Sequence, residues 1–305
     1  MNILSLVQTA LELGLICSLT VLALFLSYSM LNVCDLSTDG CFTLGAAVGA
    51  TVAIAGHPYL AILAAMTAGV LSGFITALLQ TKMGIDSLLA GIIVNTGLYS
   101  INIAVMGGSS LLNMNKTETV FTKARALLQG TVLSEQYKLL VAVIAVIAVV
   151  VFLALFLRTR LGLAIRATGD NAAMVRASSI NPAFTITVGL CISGALTALS
   201  GGLLAQYQKS SDINVGTGMV TIALASLIIG ETLVGKRTMV RRVLGVVFGS
   251  CLYRFIVAVA LRFNVPAAAM KLVSALIVAV AISMPAIRAK FAFEQRKHNA
   301  RKEVH

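Results

Sequence analysis

Residues 137–158 read YKLLVAVIAVIAVVVFLALFLR, and no polar side chain occurs between Leu139 and Leu157. An apolar helix of about 20 residues crosses the hydrocarbon core of a bilayer, so this stretch predicts a transmembrane helix. Charged residues make up only 11% of the chain, against roughly 25% in soluble domains, and the mean hydropathy is +0.96. A soluble fold could not bury so much apolar surface. The sequence therefore predicts an all-α polytopic membrane protein.

Apolar runs recur along the chain and predict about nine spans, within a range of roughly eight to ten. The second run is short and follows the polar segment Asn32–Gly40. A broken or re-entrant segment is the alternative there, because irregular backbone at membrane depth needs protein or a cavity around it. The predicted spans lie near 4–28, 41–56, 59–80, 86–106, 137–158, 183–205, 217–235, 242–262 and 267–285.

Basic residues are concentrated on one side of these spans, which carries 15 of the 23 Lys and Arg residues. Because basic residues accumulate in cytoplasmic loops, the N-terminus is predicted outside and the C-terminus inside. The long polar loop 107–136 then lies outside, where Lys116, Lys123 and Arg125 are a contrary signal and where an external partner could bind. The 15 residues are Lys82, Arg158, Arg160, Arg166, Arg176, Lys236, Arg237, Arg241, Arg242, Arg288, Lys290, Arg296, Lys297, Arg301 and Lys302.

The composition argues against several other classes of protein. The net charge of +12 comes from loops and the tail, which does not favour nucleic-acid binding. The five cysteines lie in or beside apolar runs, which predicts buried thiols without a disulfide or a metal. The N-terminus lacks the basic region of a cleaved signal, so the first apolar run is predicted to be a permanent span.

Motifs that recur at a nearly constant offset predict an internal repeat. DLSTDGCFTLGAA at Asp35–Ala47 resembles DINVGTGMVTIALA at Asp212–Ala225, 177 positions later, and GVLSG at Gly69–Gly73 resembles GVVFG at Gly245–Gly249, 176 positions later. A third, weaker match follows in the same order. Five spans separate equivalent segments, so the halves have opposite topology, as in transporters whose path lies at the interface of inverted repeats. Shared small-residue packing is the alternative explanation.

Ionisable residues inside the predicted spans are functional candidates by default. Glu12 lies in the first span, Glu231 near the end of the seventh and Arg254 in the eighth. Pairing of Glu231 with Arg241 or Arg242 is the structural alternative. We expect Arg254 to meet a carboxylate or helix C-terminal carbonyl groups, and Glu12 is one possible partner.

The fourth predicted span carries a polar stripe. Asn95, Tyr99 and Asn102 follow one another at spacings of four and three residues, which places them on one helical face. These side chains, together with Asp39 and Glu12, are the candidates for lining a translocation path that holds a small, uncharged or weakly charged solute loosely. Hydrogen bonding between helices is the alternative role.

The segment 159–182, TRLGLAIRATGDNAAMVRASSINP, is too polar to span the membrane. Gly169 is expected to break the preceding helix, and Asp170 or Asn171 can cap a short helix that Asn181-Pro182 ends. Exposed Met174 and Val175 in such a helix favour a protein groove as their partner. Packing on the membrane surface is the alternative.

Here the sequence resembles a known family. GDN followed by AAMVRASSI resembles the coupling-helix segment of permeases in the ribose and branched-chain amino acid class of ATP-binding cassette importers. DLSTDGCFTLGAA, AGIIVNTGLYSIN, LIIGE and KLVSALIV together resemble its tryptophan/tyrosine-type branch, and the likeness covers roughly residues 5–285. Cys34 and Cys41 depart from the expected pattern, as does the tail.

The resemblance implies a multi-pass permease of the bacterial plasma membrane that is not itself an enzyme. It implies a homodimer, two cytoplasmic ATPase subunits that bind the ATP and Mg, and an external protein that delivers the substrate, an amino acid and more narrowly an aromatic one. The residues implied in coupling to the ATPase are Arg166, Gly169, Asp170, Asn171, Ala173, Met174, Val175, Arg176 and Ala177.

The predicted organisation is one permease domain over residues 1–305. It comprises a first repeat at 5–106, an external loop at 107–136, a fifth span at 137–158, a coupling segment at 159–182, a second repeat at 183–285 and a cytoplasmic tail at 286–305.

Two other functions stay open as alternatives. A stand-alone secondary carrier or channel would be driven by ions through Glu12, Asp39 or Glu231. A membrane-embedded enzyme would need a nucleophile and a base in register, and the sequence offers no such spacing. It also has no phosphate-binding Gly-Lys-Ser/Thr loop, so ATP hydrolysis by that mechanism is excluded for this chain.

Overall fold

The computed structural model describes residues 3–129, 136–235 and 238–262, together with 272, 275–280 and 283. In the first three of these ranges the chain forms helices joined by short links, with one pair of three-residue strands. The elements are α1 (Ile3–Leu24), α2 (Thr38–Ile54), α3 (Pro58–Thr81), α4 (Ser87–Val105), β1 (Leu111–Asn113), α5 (Val120–Leu127), α6 (Tyr137–Phe156), α7 (Arg160–Asp170), α8 (Ala172–Ala177), α9 (Pro182–Gln208), β2 (Ser210–Asp212), α10 (Met219–Val234) and α11 (Met239–Arg262).

The helices match the apolar runs of the sequence and confirm an all-α polytopic membrane protein. Within the described residues, six helices are long and apolar enough to cross a membrane: α1 with its continuation to Met30, α3, α4, α6, α9 and α11. Helices α2 and α10 are apolar but shorter, with 17 and 16 residues. Most of the ninth predicted span, near 267–285, lies outside the described residues.

Helices α1 and α9 form the centre of the bundle. In their most apolar stretches 78% and 83% of residues are buried, against 22–33% in the other four long helices. The hydroxyl of Ser193 donates to the carbonyl of Ala23 at 3.0 Å, and that of Ser200 donates to the carbonyl of Ile16 at 2.7 Å. Ser193 lies 177 positions after Ile16, and Ser200 lies 177 positions after Ala23. The residue pair Ser193–Ala23 therefore corresponds to the pair Ile16–Ser200 under the same offset of 177 that relates the sequence motifs. The two hydrogen bonds are equivalent in the two repeats.

The matched glycines of the two motifs do not share this relation. Gly69 and Gly73 on α3 lie against α9, whereas Gly245 and Gly249 on α11 lie against α10. Small residues therefore serve close helix packing in both places, and the packing partner differs.

The link between α1 and α2 lies inside the protein. Helix α1 continues as a π-helical turn, Phe25–Met30, before the chain leaves the helix. In the link, Asp35 is only 4% exposed and its carboxylate accepts from the Ser37 N–H at 2.9 Å and the Ser37 hydroxyl at 2.6 Å. Irregular backbone at this depth is thus enclosed by protein and internally hydrogen-bonded, and the segment that follows is one unbroken helix.

The loop 107–136 contains more structure than its sequence suggested. Its strand β1 pairs antiparallel with β2, which joins α9 to α10. Helix α5 begins at a capping box made by Thr119 and Thr122. The Gln206 side chain accepts from the Val120 N–H at 2.9 Å and donates to the Pro58 carbonyl at 3.1 Å, which ties α5 and α3 to the end of α9. We call this end of the bundle the strand side.

The segment 159–182 forms two helices at the opposite end, which we call the short-helix side. Asn171 caps α8, since its Oδ1 accepts from the Met174 N–H at 3.0 Å. The expectation that Gly169 breaks the preceding helix is wrong, because α7 continues to Asp170 and the break is at Asn171. Gly169 instead packs against the carbonyl of Met30, where any Cβ would collide with backbone.

Candidate functional site

A polar cavity of about 420 Å³ lies where the first turn of α2, one face of α4 and the link from β2 to α10 meet. Its lining residues are Asp39, Gly40, Thr43, Asn95, Thr96, Tyr99, Ser100, Asn102, Ile213, Asn214 and Thr217. Four of the five residues that the sequence predicted for a path are therefore together, namely Asp39, Asn95, Tyr99 and Asn102.

Asp39 joins the starts of two helices. It lies in the first turn of α2, and its two carboxylate oxygens accept from the N–H groups of Gly218 and Val220, each at 2.8 Å. These groups are among the unpaired donors at the start of α10, and a carboxylate there interacts favourably with the helix dipole. The carboxylate of α2 thus serves as the cap of α10.

A second contact of the same kind lies beside it. The Gly216 N–H donates to the Thr43 hydroxyl at 3.2 Å, and Gly216 lies so close to the Asp39 carbonyl that a side chain there would collide with it. Gly216 is 177 positions after Asp39, and Val220 is 177 positions after Thr43. The offset therefore exchanges the two contacts, as it does for α1 and α9.

The polar stripe of α4 forms one wall of the cavity. Asn102 is 1% exposed, and its Nδ2 donates to the Gly40 carbonyl at 3.2 Å, while its Oδ1 is buried without a hydrogen-bond partner among the residues that the structure describes. Asn95 is half-buried beside Gly40, and Tyr99 is 52% exposed. The face thus combines a packing contact between helices, at Asn102, with groups that remain open.

Glu12 lies elsewhere and does not line this cavity. Its carboxylate accepts from the Tyr207 hydroxyl at 2.7 Å and from the Gln8 amide at 3.1 Å. The ammonium group of Lys138 lies 4.8 Å from the Tyr207 ring centroid. These contacts give Glu12 a role in joining α1 to α9 towards the strand side.

Glu231 pairs with Arg242, one of the two partners that the sequence allowed. The Arg242 Nη2 lies 2.5 Å from the Glu231 Oε1, and both side chains are largely buried, at 16% and 8% exposed. Ser29 from the π-helical turn contacts both residues: its hydroxyl donates to Glu231 at 3.0 Å and accepts from Arg242 at 2.6 Å. The cluster joins α1, α10 and α11 on the short-helix side.

Arg254 does not have the partner that was expected. Its Nη2 donates to the sulfur of Cys17 on α1 at 2.9 Å, and its Nε is buried with no hydrogen-bond partner among the described residues. A thiol takes the place of the expected carboxylate, and Glu12 is engaged by Tyr207. The type of partner could not be predicted, because Cys17 has no periodic relation to Arg254.

The predicted coupling segment has a buried side and an exposed side. The expectation that Val175 is exposed is wrong, because its side chain faces the bundle and is only 1% exposed. Thr168 of α7 shares a hydrogen bond of 2.8 Å with Thr185 of α9. Arg166 and Gly169 are half-buried. The exposed residues are Asp170, Asn171, Ala173, Met174, Arg176 and Ala177. Helices α7 and α8 are thus fixed to the bundle while one face stays open.

A second, larger groove has a different character. It measures about 530 Å³ and lies between α3, α6 and α9, where almost only hydrocarbon lines it. Such a groove offers a polar solute nothing to bind, so the cavity at Asp39 is the better candidate site.

Comparison with known proteins gives a consistent result. The family model of the branched-chain amino acid transport system, permease component, matches residues 6–282. The tyrosine transport system permease protein of Clostridioides difficile (strain R20291) is 34% identical over 266 residues, which cover 87% of this chain and 86% of that protein. An uncharacterized protein of Rickettsia prowazekii (strain Madrid E) is 28% identical over 281 residues, covering 90% and 96%. No solved structure matches the chain at a significant level.

Proposed function

Since this chain belongs to the family of permease components of branched-chain amino acid transport systems, we propose that it is the transmembrane subunit of an ATP-binding cassette importer. In this proposal an external binding protein delivers a small solute, and the chain acts in the plasma membrane as a homodimer. Two cytoplasmic ATPase subunits bind ATP and Mg and supply the energy. The chain itself catalyses no covalent step.

One series of contacts carries the proposal of ATP coupling. Gly169 of α7 packs against the carbonyl of Met30, at the end of the π-helical turn. Ser29 in the same turn is hydrogen-bonded to the Glu231–Arg242 pair at the end of α10. The start of α10 is hydrogen-bonded to the Asp39 carboxylate in the cavity. These contacts form a continuous series of packed elements between α7 and the cavity, which is one physical route by which two sites can be coupled.

The proposed topology follows the sequence prediction. The short-helix side faces the cytoplasm and the strand side faces outward, with a ninth span completing two inverted groups of four around the fifth. The exchange of hydrogen bonds under the 177-residue offset supports this arrangement, because a two-fold relation between repeats requires such paired contacts.

The proposed substrate is an amino acid, and an aromatic one in particular. The relative from Clostridioides difficile is described as a tyrosine transport permease. The cavity offers amides, hydroxyls and the Tyr99 side chain, with one carboxylate among its lining residues. Such groups bind a small polar molecule weakly, as suits a path from which the solute must leave.

The exposed face of α7 and α8 provides the test of coupling. Charge reversal at Asp170 combined with Ala173→Trp should abolish ATP-dependent uptake and co-purification of the ATPase, because both positions are exposed on the proposed docking face. The protein should remain folded, with unchanged thermal unfolding. Normal uptake by this variant would contradict the coupling role.

A matched control changes the strand side in the same way. Glu118→Lys combined with Asn115→Trp also reverses one exposed charge and adds one exposed ring. This variant should retain the ATPase on purification. Loss of the ATPase from both variants would show that the first result is not specific to the short helices.

The intramembrane carboxylate of Asp39 favours one second candidate, an ion-driven carrier or channel. Of the three carboxylates considered for that role, only Asp39 lies in the cavity, since Glu12 and Glu231 are engaged elsewhere. Solute transport by the purified chain in liposomes without any ATPase would favour the carrier. Transport that requires the ATPase would exclude it.

A further inference from the structure

The cavity presents hydroxyl groups, amides and one carboxylate, and none of its lining residues in the described ranges is basic. This composition limits the ligand group that can enter. A ligand carboxylate would find no cation to pair with, whereas a charged donor would find Asp39.

The start of a helix is usually where a transporter binds an anionic ligand group, because backbone N–H groups and the helix dipole point at it. In this chain Asp39 occupies that place at α10, with one N–H donated to each of its oxygens at 2.8 Å. The Met219 N–H also interacts with this carboxylate, and a carboxylate has about four acceptor sites, which leaves room for a ligand donor. A ligand carboxylate would therefore be repelled where a ligand ammonium group would be attracted.

Asn102 provides an independent observation. Its Nδ2 is bound to the Gly40 carbonyl, so its Oδ1 is fixed as an acceptor. This oxygen is buried, has no partner in the described part of the chain and belongs to a residue that is 1% exposed in the cavity wall. A buried acceptor without a donor is destabilising, and a ligand N–H group would supply the missing donor. Asp39 and Asn102 both line this cavity.

We propose that this cavity recognises the ammonium group of its solute, with Asp39 supplying the charge and Asn102 a second acceptor. The proposal rests on the proposed function in so far as the solute is an amino acid. It assigns the α-amino group, and not the carboxylate, to the site where α2 and α10 begin.

Two probes that share a phenol ring and differ in charge test this directly. Tyramine carries an ammonium group, and 3-(4-hydroxyphenyl)propionate carries a carboxylate. Thermal unfolding of the purified chain in lipid nanodiscs is followed with increasing amounts of each. Tyramine should raise the Tm and the propionate should not, because binding to the folded state alone stabilises it. An equal shift with both probes, or no shift with either, would overturn the proposal.

Variants then identify the residues responsible. Asp39→Asn and Asn102→Leu should each weaken the apparent affinity for tyramine, Asp39→Asn by about tenfold or more, since a charge-assisted hydrogen bond is worth roughly 1.5–3 kcal/mol. Asn102→Leu does not touch the cap of α10, so it tests the site even if Asp39→Asn does not fold. Asp86→Asn is the matched control, because Asp86 caps α4 at an exposed position and should leave the tyramine shift unchanged.

Folded Asp39→Asn and Asn102→Leu proteins with the tyramine shift of the native chain would refute the assignment. The measurement uses the chain without an ATPase, so it is separate from the test of coupling. The two proposals therefore fail separately. A chain that moves solute without ATP and prefers tyramine contradicts only the coupling, whereas an ATP-coupled permease without that preference contradicts only the ammonium site.

Discussion

Helix α10 is tied to the first half of the chain at both ends, and the two ties differ in chemistry. At its start, the carboxylate of Asp39 accepts from backbone N–H groups. At its end, Glu231 and Arg242 form a side-chain ion pair that Ser29 joins. The Asp39 contact borders a polar cavity. The ion pair packs against Phe25, whose ring centroid lies 5.2 Å from the guanidinium carbon of Arg242.

The difference between the two ends concerns what happens when a partner is lost. Backbone N–H groups that border a cavity can be hydrogen-bonded by water in place of Asp39. A guanidinium group that is only 16% exposed has no such substitute, and an unpaired buried charge is expensive. The end of α10 should therefore depend on its partner more strongly than the start does.

The largest expected effect is at the ion pair. Glu231→Leu should lower the free energy of unfolding by about 3–5 kcal/mol, because Arg242 is left buried without its carboxylate. Glu231→Leu combined with Arg242→Leu should recover most of that loss. Unfolding in SDS-containing mixed micelles, followed by circular dichroism, measures both variants.

Glu118 provides the control for the ion pair. Its partner Lys123 lies at 3.5 Å, and the side chains are 74% and 36% exposed. Glu118→Leu should cost at most about 1 kcal/mol, as is usual for surface pairs. Equal losses in the single and double variants of the buried pair would show that the charge left unpaired is not the cause.

The other end of α10 should show a smaller effect. Asp39→Ala removes the cap of α10 and should cost about 1–2 kcal/mol, measured in the same micelles. Asp86→Ala removes a single bond of 2.9 Å at an exposed helix start and should cost less. If Asp39→Ala costs as much as Glu231→Leu, water does not replace the carboxylate, and the two ends are alike.

The sequence predicted the helices well, because lipid imposes one rule on every span. The predicted runs 59–80 and 183–205 correspond to α3 and α9 within three residues at each end. Asn95, Tyr99 and Asn102 were placed on one face by their spacing alone. That they share a cavity with Asp39 is consistent with the prediction, although their proposed role in a path stays a prediction.

Other features depend on contacts that no local pattern records. Ser29, Thr43, Gly216 and Cys17 acquire their roles from residues more than 170 positions away. The repeat offset was the one signal that could have indicated Thr43 and Gly216, since it links Asp39 to Gly216 and Thr43 to Val220. The low helix propensity of glycine predicts a break at Gly169, whereas its contact with the Met30 carbonyl, which lies far away in the chain, is what requires a glycine there.

The smallest expected effect tests the two-fold relation between the repeats, which also pairs the contacts at the start of α10. Ser193→Ala and Ser200→Ala each remove one hydroxyl bond between α1 and α9, and each should cost about 0.6 kcal/mol, typical of bonds between membrane helices. Because the 177-residue offset exchanges the two bonds, the losses should be equal and should add in the double variant. Ser226→Ala is the control, since that hydroxyl bonds to Ile222 within its own helix and its loss should cost less. A several-fold difference between the two serines would mean that the offset describes sequence similarity without equivalent packing, and the paired contacts at Asp39 would then need a separate explanation.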